Sequence, residues 1–169
     1  TTDIDGATDW NDLSNDADAT IQAGIDACFL PPTHAVMGED VWKKLRRNEV
    51  LIAIIRGTLS AQEVTAEEVA RHYNLQGLLI GKAKYSTANP GQTAAFARLW
   101  TKDFALLRID APMMKDVVFG RTFEWRKPVV QRWDGPSKGT SGGIWVKPSE
   151  SVIEYVTGAD VGYLVKNAV

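Results

Sequence analysis

The chain has 169 residues, 44% hydrophobic and 24% charged, with a net charge of −2. This composition excludes intrinsic disorder and a fibrous protein, and the length predicts one compact unit. The longest apolar stretch, residues 50–55, is far shorter than the roughly 20 residues of a membrane-spanning helix, so we expect no membrane association. A single cysteine, Cys28, excludes an internal disulfide framework and fits synthesis in a reducing compartment.

Acidic and basic residues are distributed unevenly along the chain. Nine of the 21 acidic residues lie before Val41, whereas all 19 basic residues lie from Lys43 onward. One interpretation is a solvated acidic leader ahead of a mildly basic body. The other is a complementary pair of surfaces on neighbouring molecules. The first residues lack an initiator Met and the basic and apolar regions of a signal peptide, so we expect the chain to begin inside a longer protein.

Helical patterns dominate the first part of the chain. Over residues 16–28 apolar side chains recur with the spacing of one helix face, and Pro31 and Pro32 end this helix because proline lacks the backbone donor. A strand is predicted at residues 33–37. Further helices are predicted from Glu39, over residues 48–55, and from the capping box at Thr65 to about Tyr73.

The remainder is predicted to be mainly β-structure. The predicted strands are residues 78–85, 96–100, 104–109, 122–133, 144–146, 151–156 and 162–165. Residues 134–143 are almost all turn formers and predict a long flexible loop. A helical first part followed by strands predicts the α+β fold class.

No cluster of residues is typical of a catalytic or metal site. His34 lies in a predicted strand and His72 on a predicted helix, each without further donors at metal-ligand spacing, so we interpret both as structural or surface histidines. Helical spacing places Cys28 on an apolar face, where we expect a buried, unreactive thiol. The glycine-rich residues 139–143 lack the lysine of a phosphate-binding loop. We therefore predict no enzymatic activity, no metal and no cofactor.

Tryptophan is unusually frequent, with six in the chain. Trp125, Trp133 and Trp145 lie among basic residues of the β region, a pattern that can stack the bases of a single-stranded nucleic acid. Alternation in half-buried strands or burial in a protein interface explains them as well. Because a net charge of −2 gives little attraction to phosphate, core and interface positions are favoured, and a nucleic-acid-binding module is the alternative.

Several short motifs together resemble the tailed-phage major capsid proteins. WND at residues 10–12, PPTHAVMG at 31–38 and VWKKL at 41–45 are similar to the family's helix, proline-bearing loop, strand and helix. The later motifs are LLIGKAKY at 78–85, LW at 99–100 with ALL at 105–107, and ADVGYLVKN at 159–167. Each motif is short, but their order and spacing extend over nearly the whole chain.

The resemblance implies the capsid fold of phage Hong Kong ninety-seven, which encapsulins share. Residues 1–32 would then form the lead-in and spine-type helix of the peripheral domain, residues 33–150 mainly the axial domain, and residues 151–169 the return to the peripheral domain. Family members also carry an N-terminal arm and an extended loop before the spine helix. Neither is in this sequence. We therefore expect the chain to contain chiefly the axial domain and its connection back to the peripheral domain.

The function implied is that of a structural head protein that assembles with itself into pentamers and hexamers. The shell would enclose double-stranded DNA non-specifically, with scaffold, protease and portal proteins as further partners. The resemblance also implies synthesis in the host bacterial cytoplasm and a final location in the virion capsid. An encapsulin-like shell protein is a second alternative function. The candidate subunit-contact residues are Lys43, Lys44, Arg46, Arg47, Gly135, Lys138 and Gly139.

Overall fold

The computed structural model describes residues 1–4, 9–57, 62–109, 113, 115–135 and 142–169. They form two compact units instead of the single one expected from the length. Thr1–Phe119 with Gly158–Val169 is the larger unit, and Gly120–Thr157 is the hairpin unit. The predicted mixture of helices and sheets is confirmed. The assignment of residues 1–32, 33–150 and 151–169 to peripheral and axial domains stays a prediction.

Four helices form in the larger unit, each near a predicted one, and three of them begin at a capping side chain. They are α1 (Ala17–Asp26), α2 (Glu39–Leu45), α3 (Glu49–Arg56) and α4 (Ala66–His72). The Asp16 carboxylate accepts the Ala19 N–H at the start of α1, and the Asn48 side chain accepts the Leu51 N–H at the start of α3. The predicted capping box of Thr65 is present at the start of α4.

Nine strands lie along the described chain. They are β1 (Thr2–Asp3), β2 (His34–Gly38), β3 (Gly77–Gly81), β4 (Lys84–Ser86), β5 (Phe96–Arg98), β6 (Phe104–Leu107), β7 (Gly120–Gly135), β8 (Gly143–Val156) and β9 (Gly162–Lys166). Five of them form one sheet in the order β1-β9-β6-β2-β3, in which only β6 runs against the others. The strands β2 and β3 are parallel neighbours, and the helices α2, α3 and α4 connect them.

A single apolar core joins the helices of the larger unit to its sheet. Trp10 packs edge-on against Phe104 with ring centroids 5.5 Å apart. On α1, a Cβ at Gly24 would lie 2.8 Å from Cδ1 of Tyr163, which shows how closely α1 approaches β9. The largest fully buried hydrophobic side chains are Trp10, Phe104, Ile21, Met37, Leu45, Leu51, Leu106, Val41, Val69, Val161 and Val165.

Gly38, at the end of β2, is required by a close approach of the backbone. A Cβ at this position would lie 2.5 Å from the carbonyl oxygen of Trp100 and 2.6 Å from that of Thr101. These are contacts that no side chain can relieve by turning away, so the chain can pass beside β2 only because residue 38 has no Cβ. The last glycine of the motif at residues 31–38, Gly38, thus has a steric explanation.

Three predicted strands have different limits in the structure. The predicted strand 78–85 is two strands, since β3 ends at Gly81 and β4 pairs with β5 in a separate two-stranded sheet. The predicted strands 144–146 and 151–156 are one strand, β8, which continues through Pro148. Because β7 and β8 extend to Gly135 and from Gly143, the predicted loop 134–143 is shorter at both ends, and its middle lies outside the described residues.

Candidate assembly surfaces

The four predicted basic contact residues lie on α2 and the turn after it, but two of them are paired within the chain. Arg46 and Arg47 both contact the carboxylate of Glu63, at 3.0 and 2.5 Å. The Arg47 hydrogen bond to this carboxylate is the main reason that the pKa of Glu63 lies below its ordinary value. Lys43 approaches Asp40 at 3.7 Å on the same helix, where an exposed pair contributes little. Lys43 and Lys44 are therefore the cations of this face with most freedom to contact a neighbour.

The acidic leader is also largely engaged inside the larger unit. Asp16 caps α1, and Asp18 accepts a 2.7 Å hydrogen bond from the Tyr73 hydroxyl on α4. Asp12 accepts bonds from the side chain and backbone of Ser14, which hold its pKa below the ordinary value. Asp3 accepts a bond from the Asn167 side chain at 2.8 Å. These local roles explain much of the acidic excess without a neighbouring molecule.

The two histidines and the cysteine have separate surroundings. His34 lies 3.0 Å from the Thr33 hydroxyl, and His72 lies 3.4 Å from the Asp18 carboxylate. Cys28 is half-buried, not fully buried as predicted, and its thiol donates to the Gly24 carbonyl of α1. Burial raises the pKa of this thiol. Among the described residues no group of three or more His, Cys, Asp and Glu could hold a metal ion.

The strands β7 and β8 form a long antiparallel hairpin whose apolar side chains are exposed. Cross-strand partners share a face, and near the tip Trp133 pairs with Trp145 while Arg132 pairs with Val146. The rings of Trp133 and Trp145 are stacked with centroids 6.3 Å apart. Trp125, at an irregularity of the ladder, is 83% exposed. The predicted core position of these three tryptophans is therefore wrong, and the interface interpretation stays open.

Both faces of this hairpin carry apolar side chains. Alternation along β8 puts Trp145 on one face and Ile144 and Val146 on the other. Nearer the base, Ile153 and Tyr155 lie on the face opposite to Val152. All six of these β8 residues are exposed.

Of the three predicted contact residues near the hairpin tip, one can be located. Gly135 is buried at the end of β7, where a Cβ would lie 2.5 Å from Nε1 of Trp145. Lys138 and Gly139 lie outside the described residues. Gly135 thus allows the Trp145 indole to lie across the end of β7, and a direct contact of Gly135 with a neighbour stays a prediction.

The strands β4 and β5 form a second ribbon that the sequence did not reveal. We call residues 83–99 the arm. The Arg98 guanidinium forms ion pairs with Glu39 and, at 3.1 Å, with Asp40, both in the first turn of α2. The Arg98 hydrogen bond is the main cause that lowers the pKa of Glu39. The Arg98 side chain is separated from Glu39 by 59 residues, so no local pattern could indicate this contact.

Comparisons with known proteins support the resemblance drawn from the motifs. Over 169 residues the chain is 28% identical to the major capsid protein of Pseudomonas phage JBD67, covering 98% of this chain and 55% of that protein. A phage-related protein from Bordetella bronchiseptica RB50 has a TM-score of 0.80 at 17% identity over 99% of this chain and 56% of that one. A protein assigned as a prophage capsid protein, from E. coli CFT073, has a TM-score of 0.53 at 15% identity, over 98% of this chain and 52% of that one.

The predicted resemblance to tailed-phage major capsid proteins is thereby confirmed. The chain spans about half the length of the curated relative that it matches. No protein-family model matches it. In the part of the chain that the structure describes, no helix is both long and apolar enough to cross a membrane.

Proposed function

From this kinship with tailed-phage major capsid proteins, we propose that the chain is a piece of the structural subunit of a phage or prophage shell. In this proposal the complete protein has the Hong Kong ninety-seven fold and assembles with itself into pentamers and hexamers that enclose double-stranded DNA. It is made in the bacterial cytoplasm and ends in the virion capsid, with scaffold, protease and portal proteins as partners in assembly. Its role is structural, without catalysis or a cofactor.

The observation that carries this proposal is the exposed apolar hairpin of β7 and β8. A two-stranded hairpin is marginally stable alone in water, and large exposed apolar surfaces are typical of protein interfaces. Tryptophan and tyrosine are enriched in interfaces because they contribute much apolar area and also carry a polar group. In a shell, neighbouring copies cover such a ribbon on both faces.

The candidate contact residues have different roles in this proposal. Lys43 and Lys44 contribute a cationic contact to a neighbouring acidic surface, whereas Arg46 and Arg47 first hold Glu63 and so shape the loop before α4. Gly135 positions Trp145. Lys138 and Gly139 remain proposed contacts with the neighbour. Since exposed charges are screened by salt, assembly that depends on the two lysines weakens as ionic strength rises.

The test is assembly of the complete protein that contains these residues. Expressed in bacteria, it is expected to form closed shells of uniform diameter, visible by negative-stain electron microscopy and sedimentation. The double variant Lys43→Glu, Lys44→Glu is expected to assemble less, with a loss that high salt imitates, whereas Lys166→Glu serves as a control at another lysine. A complete protein that stays monomeric at all salt and protein concentrations contradicts the proposal.

One further candidate has a specific observation in its favour. Trp125 is almost fully exposed beside Arg126 and Lys127, as a stacking platform for single-stranded nucleic acid requires. Residues 120–157 contain six basic and four acidic residues, which leaves a weak attraction to phosphate. Titration of the chain with a labelled oligonucleotide at low salt measures this, and binding lost in Trp125→Ala supports the alternative. An encapsulin-like shell is distinguished by shells that contain protein cargo instead of DNA.

A further inference from the structure

Nearly all of the arm is exposed. Within residues 83–99, every residue is exposed except Ala88, Ala97 and Arg98. Two of these are alanines, which bury little area, so Arg98 is the one long side chain of the arm that is partly buried. The apolar side chains contribute little to holding the arm in place, since even Tyr85 is 51% exposed. A contact other than apolar burial therefore positions the arm on the larger unit.

Arg98 makes the polar contacts that leave the arm. Its guanidinium forms ion pairs with Glu39 and, from Nε at 3.1 Å, with Asp40. In the described chain the other hydrogen bonds of the arm stay inside it, such as the 3.0 Å bond from the Leu99 N–H to the Ala83 carbonyl. Apart from its two covalent connections, the arm is thus tied to the larger unit by a single side chain.

The carboxylates that Arg98 binds are on a firmly held element. The helix α2 buries Val41 and Leu45 completely in the core. The side chain of Arg98 is 16% exposed and that of Glu39 is 27% exposed, so solvent screens their attraction only in part. Hydrogen bonds between two charged groups in such a place are stronger than those of a fully exposed pair.

The pairing of the two strands in the arm also involves these carboxylates. In the ladder of β4 and β5, Lys84 is the cross-strand partner of Arg98, so two cations share the face that is turned to α2. Like charges directly opposite each other destabilise a ribbon, and a two-stranded ribbon is marginally stable alone in water. Glu39 and Asp40 offset this repulsion only while the arm lies against α2.

The arm leaves the larger unit at two closely spaced points. Before the arm, β3 ends at Gly81, which pairs with Gly38 of β2. After the arm, the Trp100 carbonyl oxygen lies against the same Gly38, where a Cβ would approach it to 2.5 Å. Both ends of the arm are therefore fixed on β2 by contacts that do not involve Arg98, and the main sheet stays closed when the arm moves.

We propose that Arg98 is a latch for the arm. Its ion pairs with Glu39 and Asp40 hold the arm on α2. When they are lost, the arm moves away and its ladder frays, while the rest of the larger unit keeps its fold. Because dissolved ions screen the attraction between Arg98 and the two carboxylates, ionic strength shifts the latch toward the open state. The latch is a property of the single folded chain and does not depend on the proposed shell function.

Hydrogen exchange followed by mass spectrometry tests the latch in the unmodified chain and in Arg98→Gln. Glutamine keeps a polar side chain but removes the charge. Peptides of the arm are expected to exchange about tenfold faster or more in the variant, as the loss of hydrogen bonds between charged groups implies. Peptides of β2 and β6 are expected to be unchanged. High salt is expected to speed the exchange of the arm in the unmodified chain and to have no such effect in Arg98→Gln.

A variant on α2 tests the latch from its other side. Glu39→Gln with Asp40→Asn is expected to free the arm at least as much as Arg98→Gln does, because Lys84 and Arg98 then face each other without compensation. Adding Arg98→Gln to this variant is expected to release the arm no further, since the two sets of substitutions break the same contact. Arg126→Gln, which removes an exposed arginine of β7, is the matched control and is expected to leave the arm protected.

Three results overturn the proposal. Unchanged exchange of the arm in Arg98→Gln shows that other contacts hold it. Faster exchange throughout the larger unit shows that Arg98 stabilises the whole fold and is not a latch. Additive effects of the substitutions on α2 and of Arg98→Gln show that the carboxylates and Arg98 act separately.

Discussion

The larger unit and the hairpin unit use the same kinds of residues in opposite ways. Trp10 in the larger unit is 1% exposed and packs on Phe104, whereas Trp125 in the hairpin unit is 83% exposed. The helices and the sheet of the larger unit enclose an apolar core, and the hairpin displays valine, isoleucine, tyrosine and tryptophan on both faces. Apolar residues in the first unit stabilise the fold of one chain. In the second they are available to stabilise an assembly.

The strongest test of this difference between the two units is to replace one tryptophan in each unit by alanine. Trp10→Ala is expected to reduce the free energy of unfolding by about 3–5 kcal/mol, since it removes a fully buried ring from the core. Chemical denaturation followed by far-ultraviolet circular dichroism measures the loss. Trp10→Phe keeps a ring against Phe104 and is the matched control, with a smaller expected loss. Equal unfolding free energies for Trp10→Ala and the unmodified chain contradict this role.

A smaller but more specific loss is expected at the end of β2. Gly38→Ala places a methyl group against two backbone carbonyls and is expected to cost about 1–3 kcal/mol of unfolding free energy. Gly81 is the cross-strand partner of Gly38, and a Cβ there would meet Cβ of Trp100 at 3.3 Å. Gly81→Ala is therefore the control with the smaller effect. Melting temperatures of the two variants measure this difference. If Gly81→Ala melts at a lower temperature than Gly38→Ala, the backbone of residues 100–101 does not approach Gly38 as closely as described.

Local sequence patterns predicted the larger unit better than the hairpin unit. The caps Asp16, Asn48 and Thr65 lie within three residues of the backbone groups that they bond, so the starts of α1, α3 and α4 could be predicted. The contact of Gly38 with Trp100 joins distant parts of the chain, and no spacing rule indicates it.

The hairpin unit shows what alternation cannot determine. A period of two indicates a strand, but it does not tell whether another layer of the same chain covers either face. The prolines 128 and 148 were the available indication, because proline occurs in edge strands and at bulges, and both strands of an isolated ribbon are edges. The sequence shows which candidate contact residues are charged, but not whether those charges are already paired within the chain. The ion pairs of Arg46 and Arg47 with Glu63 depend on tertiary structure.

Acid sensitivity is expected from the α3 to α4 connection of the larger unit. The Arg56 guanidinium and the Thr65 N–H lower the pKa of Glu68 from 4.5 to about 2. Because the folded pKa lies below the ordinary value, the ionised carboxylate stabilises the fold above pH 4.5, and this stabilisation is lost as pH falls toward 2. The carboxylate is about one-third exposed and therefore partly screened by solvent, so the effect is small.

The measurement is the melting temperature between pH 5 and pH 2.5 in Glu68→Gln and in the unmodified chain. The variant is expected to be less stable at pH 5, and the difference is expected to shrink as the medium becomes more acidic. Glu67→Gln, at the preceding residue of α4, is the matched control. A difference that is constant over this range means that the ion pair does not link stability to pH.

The smallest expected effect on folding is also the one that distinguishes the two units most clearly. Trp125→Ala changes an exposed side chain and is expected to shift the unfolding free energy by no more than about 0.5 kcal/mol. If neighbouring copies cover this hairpin, the same variant in the complete protein reduces shell formation, because aromatic side chains contribute strongly to interfaces. Trp10→Ala is expected to have the opposite effects. It lowers the stability of the subunit, and it reduces shell formation only by the fraction of subunits that unfold. A Trp125→Ala protein that folds and assembles normally shows that the exposure of this tryptophan has no role in assembly.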